Sequence, residues 1–240
     1  MSESTTRTVT TWFLEQTDPG DLRGVPAPGQ EADEDGPSGL RIARAEVHSP
    51  AFSRFLYSEV GADVEWADRL PWTREQWREW LERPGVETWV AYQHGTPAGY
   101  IELDGATRDT SGRGARPGTT VEISYFGLLP GFRGLGIGGR LLAYGARRAW
   151  DLDERWSGRL PTARVWLHTC SKDGPYALRN YQRRGFRIFA KEVAREPATE
   201  TAEVAETAET AEEAAAQASP EGTGSAGPAP RTPGPRSSPM

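Results

Sequence analysis

At 240 residues the chain has room for one ordinary domain or a domain and a half, and its formal charge of −6 resides entirely at the C-terminal end, where residues 192–240 hold nine of the 34 acidic and three of the 28 basic residues. Residues 1–191 are therefore charge-balanced and lend nucleic-acid binding no support, while the single cysteine, Cys170, excludes an internal disulfide and a zinc cluster of the usual kind, so no metal is expected. No apolar run approaches the roughly 20 residues that span a bilayer, and the N-terminus MSESTTRTVT has no signal-peptide apolar region; a cytoplasmic protein without membrane contact is expected.

Thr8 to Gln16, rich in β-branched and aromatic residues, predicts a first strand, and the Pro/Gly/acid stretch 17–39 a flexible loop. Leu40 to Ala45 predicts a second strand. Ser49 and Pro50 stand where an N-cap and first helical residue belong, and Phe52, Phe55, Leu56 and Val60 recur at helical spacing up to Gly61. A second helix, Thr73 to Leu81, opens with a capping-box pattern, Thr73 and Gln76. Thr88 to Tyr92 and Ala98 to Leu103 flank His94-Gly95-Thr96-Pro97 as a hairpin. A second glycine-rich loop, 105–119, precedes the strand Val121 to Leu128. A helix is expected from about Gly136 to Trp150, with Leu141, Leu142, Gly145, Ala146 and Ala149 on its buried face. The strand Ala163 to His168, a short helix Pro175 to Arg184 and a last strand Phe186 to Lys191 complete an α/β plan in one domain, residues 1–191. From Glu192 the chain turns acidic and Ala/Thr-rich, then Pro/Gly/Ser-rich, with no aromatic residue, and is expected to be a disordered tail.

Between the fifth expected strand and its helix lies Arg133-Gly134-Leu135-Gly136-Ile137-Gly138-Gly139. Glycine allows positive φ and close approach of the main chain, so the backbone N–H groups here can converge on an anion at the positive end of the helix dipole. A diphosphate is the natural ligand, and a tight helix entry with no ligand is the plain alternative. A Rossmann fingerprint needs an acidic residue after the next strand, whereas Asp151, Asp153 and Glu154 lie at the helix exit. A Walker loop needs Gly-Lys-Ser/Thr, which is absent.

Arg133-x-x-Gly136-x-Gly138, preceded by the strand Val121 to Leu128, resembles the acetyl-CoA signature of the GNAT superfamily of N-acetyltransferases. Ala177 to Phe186 is similar to that superfamily's second signature, a short helix carrying a tyrosine and ending in Gly-Phe. The resemblance covers about residues 40–191. It implies an α/β (α+β) fold with a mixed, splayed central sheet of about six to seven strands flanked by about four helices. It also implies acetyl-CoA as co-substrate, its pantetheine beside the backbone of Gly127, Leu128 and Leu129 and its pyrophosphate on Arg133, Gly134, Leu135, Gly136, Ile137, Gly138, Gly139 and Arg140. The chain departs from the family at Gly174, where many members place an asparagine that contacts the cofactor.

The activity so implied is transfer of an acetyl group to a small-molecule or peptide amine, which needs a base to deprotonate the ammonium and an acid for the departing thiolate. Glu122, a carboxylate among apolar strand residues, is the candidate base, its alternative being a glutamate on the solvated face of the sheet or one that fixes a peptide loop. Tyr181 is the candidate acid, its alternative being packing with Phe186 and Tyr176. His168, otherwise given a buried structural role with Cys170, is the second candidate base. Trp66, Arg69 and Trp72, with Trp77 and Trp80, are the candidate acceptor wall, either an aromatic cage for a cationic amine or plain helix packing. Arg140, Arg147 and Arg148 lie on the glycine-led helix, to meet phosphates or to form a solvated face. A non-catalytic acyl-CoA-binding module stays open as the other reading, as does a homodimer; the acceptor is not legible.

Overall fold

A computed structural model describes residues 6–24, 39–105 and 118–197. Seven strands, β1 (Thr6–Gln16), β2 (Leu40–Arg44), β3 (Val86–Gln93), β4 (Thr96–Asp104), β5 (Thr119–Leu128), β6 (Thr162–Cys170) and β7 (Arg187–Pro197), form one sheet in the order β2-β3-β4-β5-β6-β1-β7. Four helices accompany it: α1 (Pro50–Gly61), α2 (Arg74–Leu81), α3 (Ile137–Trp150) and α4 (Ala177–Arg183). β5 and β6 run parallel and the other neighbours antiparallel, so the sheet is mixed, as expected.

The helix starts follow local chemistry. Ser49 accepts from Phe52 N–H ahead of Pro50, and Thr73 and Gln76 form the reciprocal capping box. The hairpin turn is tighter than the four residues expected. His94 and Gly95 alone connect β3 to β4, both with positive φ (49° and 82°), as a type I′ turn requires. β7 runs six residues past Lys191, so Glu192 to Pro197, expected in the tail, pair with β1 instead. Residues 25–38, 106–117 and 198–240 lie outside the described residues.

One face of the sheet is sealed by α3, whose Leu141, Leu142, Ala146 and Ala149 pack with Ile101, Leu103, Val121, Ile123, Val165 and Leu167. A Cβ on Gly145 would stand 2.4 Å from Ile101 Cδ1, so glycine there sets how closely α3 lies on β4. The other face carries α1, with Leu56 and Val60 against Val90 and Tyr100.

Two irregularities of β5 create the site. Glu102 pairs with Tyr125 and Leu103 with Ile123, which leaves Ser124 as an extra residue, a β-bulge that reverses side-chain alternation. Ile123 and Phe126 consequently both face α3, while Glu122 and Tyr125 share the α1 face. The parallel pairing of β5 with β6 stops at Glu122 opposite Trp166, although β5 stays on β4 to Leu128 and β6 on β1 to Cys170. Beyond Glu122 the two central strands part, and the sheet opens as a V.

Candidate active site

Glu122 stands at the vertex of that V with its side chain 15% exposed, and His168 Nδ1 is 3.8 Å from its Oε1. His168 follows Trp166, the partner of Glu122, by two residues on β6, so both candidate bases face one another across the first unpaired step. The buried role expected of His168 is not what the structure shows: its side chain is 49% exposed, beside the rings of Phe13 and Trp166. Thr120 and Ser124, two residues before and after Glu122, each have a buried hydroxyl without a hydrogen-bond partner. A buried polar atom left unpaired calls for an external partner, and Ser124 lies in the bulge where the strands separate.

The glycine turn occupies the mouth of the V. Gly134 (φ 78°) and Gly136 (φ 77°) adopt left-handed backbone, and a Cβ on either would meet nothing within 4 Å, so glycine serves conformation and leaves the surface clear. Gly136 caps α3 with no side-chain acceptor, leaving the first-turn N–H groups of Ile137, Gly138 and Gly139 turned outward at the end of a 14-residue helix. Ile137 itself is buried and anchors the turn, whereas Leu135 is exposed. Arg184 Nε donates to Gly139 O at 3.0 Å, tying the end of α4 to the start of α3. Orphan helix amides, positive-φ glycines and open space fit a diphosphate-bearing ligand.

The arginines divide. Arg133 is held by Leu128 O at 3.1 Å and by Asp63 at the end of α1, an ion pair that raises Arg133 and lowers Asp63. Arg148, one of the helix arginines with a suggested phosphate role, is committed to Asp151 and lies over the Tyr144 ring. Arg140 makes no ion pair among the described residues.

Of the three residues expected beside pantetheine, Leu129 spends its N–H on Ala98 O (2.9 Å). Because backbone direction alternates along a strand, Gly127 also turns to β4, and Phe126 and Leu128 turn their N–H and C=O groups to the open side. Gly127 matters through what it lacks, since a Cβ there would lie 2.4 Å from Val60 Cγ1.

Tyr181 is 7% exposed between Phe126 (centroids 6.0 Å) and Phe186 (6.4 Å), and its hydroxyl has no partner among the described residues. Burial first, then the Asp173 charge, raises its pKa, so the phenol stays protonated. Tyr176, expected to pack with it, is exposed instead. The neighbours of Gly174 are engaged within the fold: Asp173 accepts from Thr169 and from Cys170 N–H, and Lys172 pairs with Glu196.

The aromatic wall holds a surprise for the expectation that it awaits a cation. Arg69 fills it, its guanidinium carbon 4.1 Å from the Trp80 ring centre, 4.3 Å from that of Tyr125 and 4.7 Å from that of Trp72. Only 4% exposed, its side chain donates to Glu102 at 2.9 Å, and Trp80 Nε1 donates to the same oxygen at 3.0 Å. Burial raises the pKa of Glu102, against the pull of Arg69. Arg69 is thus closed in as a support, whereas Trp72 beside it is partly exposed. Trp66 remains partly exposed, against Tyr125 (4.9 Å) and Tyr57 (5.6 Å).

Sequence reasoning passed over Asp68, which the fold holds by two phenols: Tyr57 donates to Oδ1 at 2.6 Å and Tyr125 to Oδ2. Burial, aided by the bond to Asp68, pushes Tyr57 up to about 12, and the same two causes raise Tyr125. Burial alone would raise Asp68, but the two phenol bonds outweigh it and hold the carboxyl below its usual range. The one signal in the sequence is the density of acids, Asp63, Glu65 and Asp68, in the seven residues that follow α1.

The family model of the acetyltransferase (GNAT) family matches residues 53–186. No curated protein matches the chain. Among solved structures, a GCN5-related N-acetyltransferase from Sphaerobacter thermophilus superposes with a TM-score of 0.50 at 18% identity, over 79% of this chain and 51% of that one. One from Kribbella flavida gives a TM-score of 0.48 at 19% identity, over 79% and 58%. An aminoglycoside acetyltransferase from an uncultured soil metagenomic sample, in complex with sisomicin, gives 0.46 at 16% identity, over 60% and 86%. The chain spans little more than half the length of the first two.

Proposed function

We infer, since the chain belongs to the GNAT acetyltransferase family, that it transfers an acetyl group from acetyl-CoA to an amine by direct attack, with both substrates in the V between β5 and β6. The observation that carries this reading is the end of β5–β6 pairing at Glu122, which sets a partly desolvated carboxylate, backed by His168, at the point where the strands part. When bound, acetyl-CoA supplies an activated acyl carbonyl and a thiolate leaving group.

The chain's own residues do the rest. The outward amides of Gly134 to Gly139 and the end of the α3 dipole take the pyrophosphate, and Arg133 joins them once it gives up Asp63. The open-side N–H of Leu128, whose carbonyl is bonded by Arg133, aligns pantetheine. Glu122 takes the ammonium proton, with His168 close enough to share it through one water, so that the neutral amine attacks. The Ser124 hydroxyl has a donor to offer the acyl oxygen. Tyr181 gives its proton to the departing sulfur and is restored by the second proton, which the nitrogen sheds as it becomes an amide; burial raises the pKa of the phenol, so it holds its proton until the thiolate forms.

The test is release of free CoA thiol from acetyl-CoA by the purified chain across a panel of primary amines. Calorimetric binding of acetyl-CoA without thiol release from any amine would leave a non-catalytic acyl-CoA-binding module as the reading.

A further inference from the structure

Three carboxylates lie in the short stretch after α1, and the fold treats them differently. Asp63 is matched by Arg133. Glu65, with left-handed backbone (φ 59°), reaches Arg7 on β1 and Lys172 beyond β6. Asp68 makes no ion pair among the described residues: its hydrogen-bond partners are the neutral phenols of Tyr57 and Tyr125, and the adjacent Arg69, whose charge acts on Asp68 only through space, has its guanidinium bonded to Glu102. Those phenols bond the ionised carboxylate without cancelling its charge, and a carboxylate with two acceptor bonds still has lone pairs to offer.

The surroundings suit an ammonium. The rings of Trp66, Tyr57 and Tyr125 pack within 4.9 to 5.6 Å of one another around the Asp68 clamp; Tyr57 is buried and Tyr125 already carries the Arg69 guanidinium, so the partly exposed Trp66 is the ring left to join cation–π attraction to an ion pair with Asp68. The bulge at Ser124 puts Tyr125 on the same face of β5 as Glu122, three residues along, or about 10 Å by strand rise. An amine delivered to Glu122 therefore lies within a short aliphatic chain of Asp68.

We propose that Asp68 is a specificity-determining residue that receives a second ammonium group, so that the preferred acceptors are α,ω-diamines or polyamines rather than monoamines. This rests on the acetyl-transfer reading given above for the vertex at Glu122.

The test compares kcat/KM for α,ω-diamines, from propane- to octanediamine, with n-alkylamines of the same length. The wild-type chain should favour diamines by roughly tenfold or more, as one ammonium contact of this kind supplies, and the preference should shrink as salt is raised. Asp68→Asn should bring the diamine-to-monoamine ratio to about one, while Asp68→Glu, which retains the charge, and Tyr57→Phe, which retains the carboxylate, keep it above one. Equal ratios in the wild type, or a preference that survives Asp68→Asn, overturn the proposal. Calorimetry of diamine binding separates this inference from the reaction it rests on. Diamine binding lost on Asp68→Asn in a chain that releases no CoA supports the Asp68 site and sinks the transfer reading; absence of both sinks the Asp68 site as well.

Discussion

At the scale of single residues, the site pairs groups whose environments push them apart. Tyr181→Phe deletes one hydroxyl from a ring already packed between Phe126 and Phe186, so acetyl-CoA affinity should hold while kcat falls by about 10²-fold, the usual worth of a positioned acid. An equal rise in KM would place the phenol in ground-state binding instead. Burial disfavours the phenolate, so Tyr181 keeps its proton well above the ordinary phenol value of about 10; the pH–kcat profile should show no alkaline loss near that value, and one that vanishes in Tyr181→Phe would contradict the assignment. Glu122→Gln should remove the acidic limb of the profile, and an unchanged limb would pass the role to His168. Glu87 behaves differently. Wholly buried and remote from the V, it accepts from Arg44, Arg155, Trp89 and Trp156. Burial opposes ionisation there, but the Arg155 bonds outweigh it and lower its pKa. A lowered carboxyl contributes stability above its unfolded value of about 4.3, and that contribution is lost as pH falls through the folded value. Glu87→Gln should therefore cost about 3–5 kcal/mol near neutrality, with the gap to wild type in thermal melts closing toward acid. A gap that stays constant with pH would mean the loss is packing rather than charge.

At the scale of elements, what was legible and what was not follows from where the information lies. The starts of α1 and α2 are written in Ser49-Pro50 and in Thr73 with Gln76, because a cap is a contact between residues three apart. The bulge at Ser124 is settled by register against β4, some twenty residues away, and strict alternation in Val121 to Leu128 would put Glu122 and Phe126 on one face. The residue identities of the aromatic wall were legible too, but not that Arg69 fills it, because which cation enters a ring cluster depends on the path of the chain between α1 and α2. The glycine turn is legible as chemistry and testable as geometry. Gly136→Ala forces a side chain into left-handed backbone at a strain of roughly 1–2 kcal/mol, in open space where nothing clashes. Relief of that strain would rotate the amides that begin α3, so the KM for acetyl-CoA should rise about tenfold with little change in kcat. Gly99→Ala is the contrast, since its Cβ would stand 2.3 Å from Gly127 O; it should lower Tm far more, by disturbing the β4–β5 contact itself.

At the scale of the molecule, the V needs two arms that hold their shape without bonding to each other past Glu122. One arm is β5 on β4, backed by α1; the other is β6 on β1, and β1 in turn is held on its far side by β7. Lys191 was the expected end of the folded part because the composition turns acidic and apolar residues thin out there. Backbone pairing, however, asks little of side chains at a sheet edge, and β7 continues through Glu192–Pro197 opposite Thr6–Thr11. Two truncations discriminate between these boundaries. A chain ending at Pro197 keeps every β1–β7 pair and should retain the Tm and acetyl transfer of the full chain. A chain ending at Lys191 loses six of those pairs; at about 0.5 kcal/mol each this amounts to about 3 kcal/mol, or a Tm lower by about 10 °C. The shorter chain should also lose acetyl transfer before it loses its fold, because fraying of β7 frees β1, and β1 is what holds His168 of β6 in place opposite Glu122. If both truncations melted and turned over alike, the distal half of β7 would be dispensable and the second arm would be held by β6 and α4 instead.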